Sequence, residues 1–461
     1  MKKFQFKCVA IFGLLVISCA QLRSQTQPAI PPPDPRYKAD ILLIVAHPDD
    51  DTAASTYLAR AVLDEHKRVA VIFTTRGNSG PNAVGMEQSK ALSDVREMEG
   101  RHALAILGIT DIWFLRGQDT PTQDVLHSLE TVGHGAALEE IVRIIRLTRP
   151  EVILTWMPAY VAGENHGDHQ ASGVMATEGF DLAGNPVVFP EQIEAPRQHA
   201  GIANWGEGLH PWQAEKLYYF SDATHPDFLK GHGPTYLASE ISPAKKVPYA
   251  DITRQMWKQY ATQLVFDDQA LNYFASMPEY FVLGKSLVSA PVDADVWAGI
   301  GEKSIAFVPM APYKPAAPAG ISLELGGPWA FYKKFYVAHG LTTLETLVPP
   351  QSALSANREL WVPMLLHNNT DAVADITVHA ELPGGWTGNT EDRQYHLEAG
   401  STYPIDIFLH APSDSEHKGP QMLRWTATQN GRQCGKPSSL CIWNTTTCLS
   451  NLVRASMDER K

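Results

Sequence analysis

The chain has 461 residues, too many for one ordinary domain, and its 19% charged and 44% hydrophobic residues are typical of a globular protein. Its formal net charge of −12 excludes nucleic acid as the main partner, because phosphate binding needs clustered Lys and Arg.

Residues 1–25 read as an export signal. Lys2, Lys3 and Lys7 make a positive start, and the apolar run from Val9 to Ile17 is too short to span a bilayer. Val16-Ile17-Ser18-Cys19 resembles a bacterial lipoprotein box, in which Cys19 is lipidated and attaches the protein to a membrane. The other reading is an ordinary signal cut near Ser24. Both place the protein outside the cytoplasm: periplasmic, lipid-anchored or extracellular. Residues 26–37, with Pro28, Pro31, Pro32, Pro33 and Pro35, read as a stiff spacer.

Alternating strands and helices follow. Ile41 to Ala46 is a continuous apolar run, as a strand buried on both faces requires. A helix is expected over Thr52 to His66, a second strand over Val69 to Thr75, and a helical period over Glu87 to Leu107 that Gly108 stops. Asp111 to Leu115 is the third strand, Leu138 to Leu147 a helix ended near Pro150, and Glu151 to Trp156 the fourth strand. This rhythm implies an α/β domain over 38–300, a Rossmann-like parallel sheet sandwiched by helices. Ligands in such sheets bind beyond the carboxyl ends of the strands.

Residues 181–287, rich in Trp, Tyr, His and Pro, read as loops and extra elements around a site. Pro309, Pro312, Pro315 and Pro318 mark a linker over 301–320. Beyond it, short alternating strands at Leu360–His367, Ala374–Leu382, Tyr403–His410 and Met422–Thr428, with helical periods nearly absent, suggest a small Ig-like β-sandwich over 321–461. Cys434, Cys441 and Cys448 crowd this end, and their pairing is left open. Between the signal and Cys434 there is no cysteine, so a metal there must take His and carboxylate ligands.

Two motifs carry chemistry. Ala46-His47-Pro48-Asp49-Asp50-Asp51 directly follows the first buried strand. Helix capping by Asp49 or Asp50 explains an acid at that turn. It does not explain a His, nor three successive acids at the mouth of a sheet. His166-Gly167-Asp168-His169 lies about ten residues past the fourth strand, on the same edge of the sheet. Two His and one carboxylate are the ligand set of a catalytic zinc site whose fourth position is left to water. Such a site polarises a carbonyl oxygen, and a neighbouring carboxylate can take a proton from water.

These residues resemble the PIG-L/LmbE-like deacetylase family, which has a His-Pro-Asp-Asp motif after the first strand and a later His-x-x-His motif. The resemblance covers residues 38–180. It implies that His47, Asp50 and His169 bind Zn2+, that Asp49 is the general base, and that His166 stabilises the oxyanion or protonates the leaving amine. Asp168 would then tune His166 or His169. Thr75-Arg76-Gly77-Asn78-Ser79-Gly80 is similar to the family's Gly-rich substrate loop, with Asn78 where an acid is usual. Arg96 matches its sugar-contacting arginine; the alternative is a solvated helix charge. Asp119 matches a recurrent acid whose role is open. The chain departs from the family at Asp51, usually Glu, at Ala53-Ala54-Ser55, usually Gly-rich, and at Glu164, where some members carry a Tyr.

The implied activity is zinc-dependent removal of an N-acetyl or other acyl group from an amino sugar or glycoconjugate. The alternative is a zinc amidase on another amide, such as a thiol–sugar conjugate. A non-enzymatic carbohydrate-binding surface protein is a third reading, opposed by the intact motif residues. A nucleotide-binding sheet is disfavoured because three acids stand where a Gly-rich turn would cradle a pyrophosphate. Leu382-Pro383-Gly384-Gly385-Trp386 is similar to a signature of domains appended to glycosidases, so the C-terminal region is either a carbohydrate or envelope contact or a structural spacer.

Overall fold

A computed structural model describes residues 30–444 apart from 163–165, 197–205, 222–225, 265–266, 315–318, 390 and 414–418. The export signal with Cys19, and Glu164 and Cys448, lie outside the described residues. Among the described residues no helix is long and apolar enough to cross a membrane.

The N-terminal half is built on β1 (Ile41–Val45), β2 (Val69–Thr75), β3 (Asp111–Gly117), β4 (Val152–Trp156) and β5 (Lys216–Phe220). A small ribbon, β6 (Thr235–Tyr236) with β7 (Glu279–Tyr280), stands apart, and β8 (Val282–Ser286) closes the sheet. The order is β3-β2-β1-β4-β5-β8. The first five strands run parallel, and β8 joins β5 antiparallel, so the sheet is mixed rather than purely parallel. Every residue of β1 is buried, and its alternate side chains feed two cores. Leu42 and Ile44 enter one apolar cluster; Ile41, Leu43 and Val45 enter the other. Two-sided burial is why this strand reads as an unbroken apolar run.

The chain leaves β1 toward β2 on one side and returns with β4 on the other. The gap beyond the carboxyl ends of β1 and β4 is therefore the topological switch point, where open α/β sheets bind ligands. The helices around it are α1 (Ser55–Ala59), α2 (Ser89–Ala105), α3 (Val125–Val132), α4 (His134–Thr148), α5 (Gly167–Leu182), α6 (Tyr249–Trp257) and α7 (Asp268–Ser276).

The helix expected over Thr52 to His66 is three segments of different pitch: a 3-10 turn at Asp50–Ala54, then α1, then a π turn at Arg60–Asp64. The Glu279 carboxylate accepts the Thr56 and Tyr57 N–H groups at 2.6 and 2.9 Å, satisfying donors that a new helix leaves bare. α5 was not expected because its sequence has no amphipathic period. Fourteen of its residues are buried, so no polar stripe marks a solvent face.

The C-terminal half is β-rich. One sheet orders β10 (Gln351–Leu354), β17 (Arg432–Asn444), β16 (Gln421–Gln429), β12 (Ala374–Glu381) and β14 (Arg393–Leu397). The other orders β13 (Thr387–Gly388), β15 (Thr402–His410), β11 (Glu359–Asn369) and β9 (Gly320–Leu325). Residues of both sheets share one apolar cluster, which contains Trp386. Trp386 of the Pro-Gly-Gly-Trp phrase is thus a core residue. Among the described residues, Cys434 and Cys441 form no disulfide.

The expected near-absence of helices here fails. Between β9 and β10 come α8 (Gly327–His339) and α9 (Thr342–Leu347). Tyr332, Phe335, Tyr336, Leu341 and Leu344 do not join the sheets' cluster; they pack into the core of the α/β half. The two halves therefore share an apolar core through α8 and α9.

Candidate metal and catalytic site

Asp50 organises the centre. Its Oδ2 accepts the Ala46 and His47 N–H groups, each at 2.9 Å, and the Trp156 Nε1–H at 2.7 Å. Those three donors fix the carboxylate plane and aim Oδ1 at two imidazoles. His169 Nε2 lies 3.2 Å from Oδ1 and His47 Nδ1 lies 3.6 Å from it. Burial opposes the charge on Asp50, but His169 and His47 outweigh it and hold the carboxyl well below the usual range.

His47 is held from behind. Its Nε2 is 3.2 Å from Asp119 Oδ1 and 3.4 Å from Asp168 Oδ2. A neutral His47 with its proton on Nε2 leaves the Nδ1 lone pair facing Asp50 and His169. The His169 ring lies flat on the Trp156 indole, with centroids 4.1 Å apart and planes within 2°. β4 thus supplies both a donor for Asp50 and a platform for His169.

His47, Asp50 and His169 form one group that could hold a metal ion; His47, Asp119, His166 and Asp168 form another. The first fits zinc chemistry better. Tetrahedral ligands at about 2.0–2.1 Å from one ion stand roughly 3.3 Å apart, close to the 3.2 and 3.6 Å seen here. In that arrangement Asp119 and Asp168 act as the carboxylates that take the outer N–H of a ligating His.

Asp49 sits in the turn at φ 131°, a region strongly disfavoured for a non-glycine residue. Such backbone strain marks a turn that the surrounding hydrogen bonds over-determine. The Asp49 side chain lines the cavity beside Asp50. Burial and the adjacent Asp50 charge hold its carboxyl well above the usual range, which favours proton capture.

His166 caps α5, and its Nδ1 accepts the Asp168 N–H at 3.2 Å. The neutral ring therefore carries its proton on Nε2. Burial, with the His47 and His169 imidazoles next to it, pushes its pKa down to about 2. At neutral pH His166 is a hydrogen-bond donor rather than a cationic acid.

Asp168 does not serve His169. Its Oδ2 faces His47, stands 4.0 Å from His166 Nδ1, and accepts the Thr120 N–H at 3.0 Å. Asn78 does not line the cavity; its Oδ1 accepts the Asp119 N–H at 3.3 Å, and the neighbouring Ser79, Gly80 and Pro81 form the wall. Arg96 is not a solvated charge. It is 3% exposed, lines the cavity, and its fork donates to Gly77 O at 2.6 Å and Pro81 O at 2.8 Å. Gly77 is at φ 65°, and a Cβ there would meet Arg96 Nη1 at 2.6 Å, so the loop needs glycine to close over the guanidinium.

The cavity holds about 720 Å³. One wall carries the metal-type groups with Asp119 and Arg96. Phe220, Trp257, Phe274 and Tyr280, from the stretch that the sequence marks as loops around a site, also line it. Composition pointed to this stretch without naming its residues. In the sequence Trp156 marks only the end of a strand, and Asp51, which accepts a hydrogen bond from Tyr260 Oη, only a departure from a family pattern.

Residues 42–179 match the family model described as PIG-L: GlcNAc-PI de-N-acetylase. The chain is 27% identical over 215 residues to 1D-myo-inositol 2-acetamido-2-deoxy-alpha-D-glucopyranoside deacetylase 1 of Catenulispora acidiphila, covering 43% of this chain and 61% of that one. It is 29% identical over 291 residues to the deacetylase of the same description from Streptomyces avermitilis, covering 56% and 97%. The chain spans about three-fifths of the length of the first relatives it matches. It is also similar to the solved N,N'-diacetylchitobiose deacetylase from Pyrococcus horikoshii, at 16% identity and a TM-score of 0.38, covering 66% of this chain and 97% of that one.

Proposed function

We propose, from the match of residues 42–179 to the PIG-L family model, that the chain is a zinc-dependent hydrolase that removes the N-acyl group, acetyl first of all, from an amino sugar or glycoconjugate. The observation that carries the reading is Asp50 Oδ1 facing two imidazole nitrogens at 3.2 and 3.6 Å, with Asp49 beside it in the cavity wall. His47, Asp50 and His169 would hold the ion. When bound, zinc supplies Lewis acidity, polarising the scissile carbonyl and lowering the pKa of water.

The chain's own residues do the rest. Asp49 takes the proton of the attacking water as its oxygen bonds to the amide carbon. The neutral His166 donates its Nε2–H to the oxygen that becomes negative. The C–N bond then breaks, and the proton held on Asp49 passes to the departing nitrogen. The products are a carboxylate and a free amine. Asp119 and Asp168 keep His47 in the tautomer that presents Nδ1. Arg96 braces the 77–81 loop against the cavity.

The C-terminal sheets, facing one core, are read as a β-sandwich. Export is inferred from residues 1–25, with lipidation of Cys19 or cleavage near Ser24 as its two forms; labelled-palmitate incorporation into wild type and Cys19→Ser separates them.

The test is metal analysis of the purified protein together with acetate release from N-acetylglucosamine, chitooligosaccharides and a GlcNAc–inositol, with and without chelator. Chelator-sensitive acetate release is expected. One bound zinc without release from any of them would move the substrate to another amide. No zinc after reloading would remove the metal reading.

A further inference from the structure

α5 begins with the residues that would hold and serve the metal, and a side chain from the C-terminal half reaches that first turn. Gln170 follows His169 and is 1% exposed. Its Nε2 donates to the carbonyl of His166 at 3.1 Å and to the carbonyl of Gln123 at 3.3 Å. Its Oε1 accepts the hydroxyl of Tyr332, which lies on α8. The partners dictate the amide's orientation: two carbonyls need the NH2, and the hydroxyl needs the oxygen.

The same face of the C-terminal half grips the loop after β4. Tyr336 Oη donates to Pro158 O at 3.0 Å, and Ala162 N–H donates to Gln351 Oε1 at 3.3 Å. The rings of Tyr332 and Tyr336 pack in one apolar cluster with Val174 and Met175 of α5. At the far end of α5, His339 Nδ1 meets Asp181 Oδ2 at 2.7 Å. α8 thus touches α5 at both ends, and the Tyr332 contact leads through Gln170 to the backbone of His166.

We propose that Gln170 and Tyr332 are positioning residues, through which the appended β-rich half holds the turn carrying His166 and His169 in register with Asp50. The proposal rests on the metal site described above. The His169 imidazole must meet Asp50 Oδ1 across 3.2 Å, and the turn that aims it is tied to the C-terminal half by the Tyr332 hydroxyl on Gln170. The C-terminal half is then part of the site's support rather than a spacer.

The test uses the full chain with Tyr332→Phe, Gln170→Met and His339→Ala. Zinc affinity is measured by competition with a chromogenic chelator, alongside kcat, KM and Tm. Loss of one buried hydrogen bond corresponds to about a tenfold change, so Tyr332→Phe should weaken zinc binding by about tenfold. Its kcat should fall by a similar factor with KM within twofold. Gln170→Met should match it, and the double variant should be no worse than either single one, because both cut one chain of contacts. His339→Ala cuts the contact at the other end of α5. It should lower Tm while leaving zinc affinity and kcat within twofold. Folded Tyr332→Phe and Gln170→Met with wild-type zinc affinity would overturn the proposal, as would His339→Ala weakening zinc equally. A wild type that binds zinc but releases no acetate leaves the affinity arm intact and sinks only the substrate reading. A wild type that binds no zinc sinks both.

Discussion

Trp156→Phe isolates the contribution of a hydrogen bond behind a metal ligand. Trp156 is 1% exposed and does two things: its Nε1–H donates to Asp50 Oδ2 at 2.7 Å, and its ring lies on His169 at 4.1 Å. Phenylalanine keeps a ring under His169 and removes the donor. A hydrogen bond to a charged group contributes about 1.5–3 kcal/mol. Two backbone donors to the same oxygen remain, so the lower end applies. About 1.4 kcal/mol is a tenfold change in an equilibrium constant, so zinc affinity should fall about tenfold, within the roughly 10–100-fold typical of outer-shell changes. The volume vacated at the far edge of the indole is on the order of 35 Å³, which at about 24 cal/mol per Å³ costs about 1 kcal/mol of stability. The assay is chelator competition at two pH values, with Tm as the check on folding. Asp50 must be ionised to bind metal, and losing a donor raises its carboxyl, so the deficit should grow as pH falls. A folded Trp156→Phe whose zinc dissociation constant stays within twofold of wild type at both values would refute the argument.

Asp49→Asn should keep stoichiometric metal and lower turnover by roughly 100-fold or more, since general-base catalysis contributes about that much; metal analysis beside initial rates checks both halves, and an unchanged rate removes Asp49 as the base. Arg96→Lys replaces a two-pronged brace on Gly77 O and Pro81 O with a point charge. KM should rise on the order of tenfold with a smaller change in kcat, and steady-state kinetics showing neither would mean that the loop is held by other contacts. Asp51 titrates with the fold: burial pushes its carboxyl up to about 7. A raised folded pKa means that the folded chain binds this proton more tightly than the unfolded chain, whose value is about 3.9. Its contribution is full below about pH 4 and lost as pH rises through about 7, on the order of 2–4 kcal/mol. Metal-free Asp51→Asn should therefore lose less stability than wild type between those values; denaturant melts with equal pH slopes for the two proteins would show that Asp51 is not the group responsible.

Much of the architecture and most of the candidate ligands were legible along the chain. A strand buried on both faces must be apolar throughout, so β1, β2 and β4 announce themselves as runs, and a turn after such a strand is where a parallel sheet presents its chemistry. His47, Asp49 and Asp50 sit in that turn, and His166 and His169 follow β4. The structure brings His47, Asp50 and His169 into one group with Asp49 beside them. The strands are legible because burial period is local, and the motif residues because they lie within a few positions of each other.

What the chain could not show was how residues distant in sequence are paired. α5 is enclosed on all sides, so its sequence carries no 3.6-residue stripe. α8 lies in the region assigned to a β-sandwich, and its Tyr332 and Tyr336 share a core with Val174 and Met175, more than 150 positions away in the chain. Asp168 turns to His47 instead of His169 because Thr120 N–H and the His47 ring converge on its Oδ2, a choice made by the loops that follow β3 and β1 meeting beyond one edge of the sheet. The roles of Trp156, Asp119, Gln170 and Tyr332 arise the same way: each acts on a residue brought close only by the order β3-β2-β1-β4 or by the docking of α8. By itself the sequence determined which residues could bind metal and where strands and turns would present them, because propensity and burial period are local. Which atom of each residue faces which partner was decided by tertiary structure, because hydrogen bonds and ligand geometry are satisfied in space rather than along the chain.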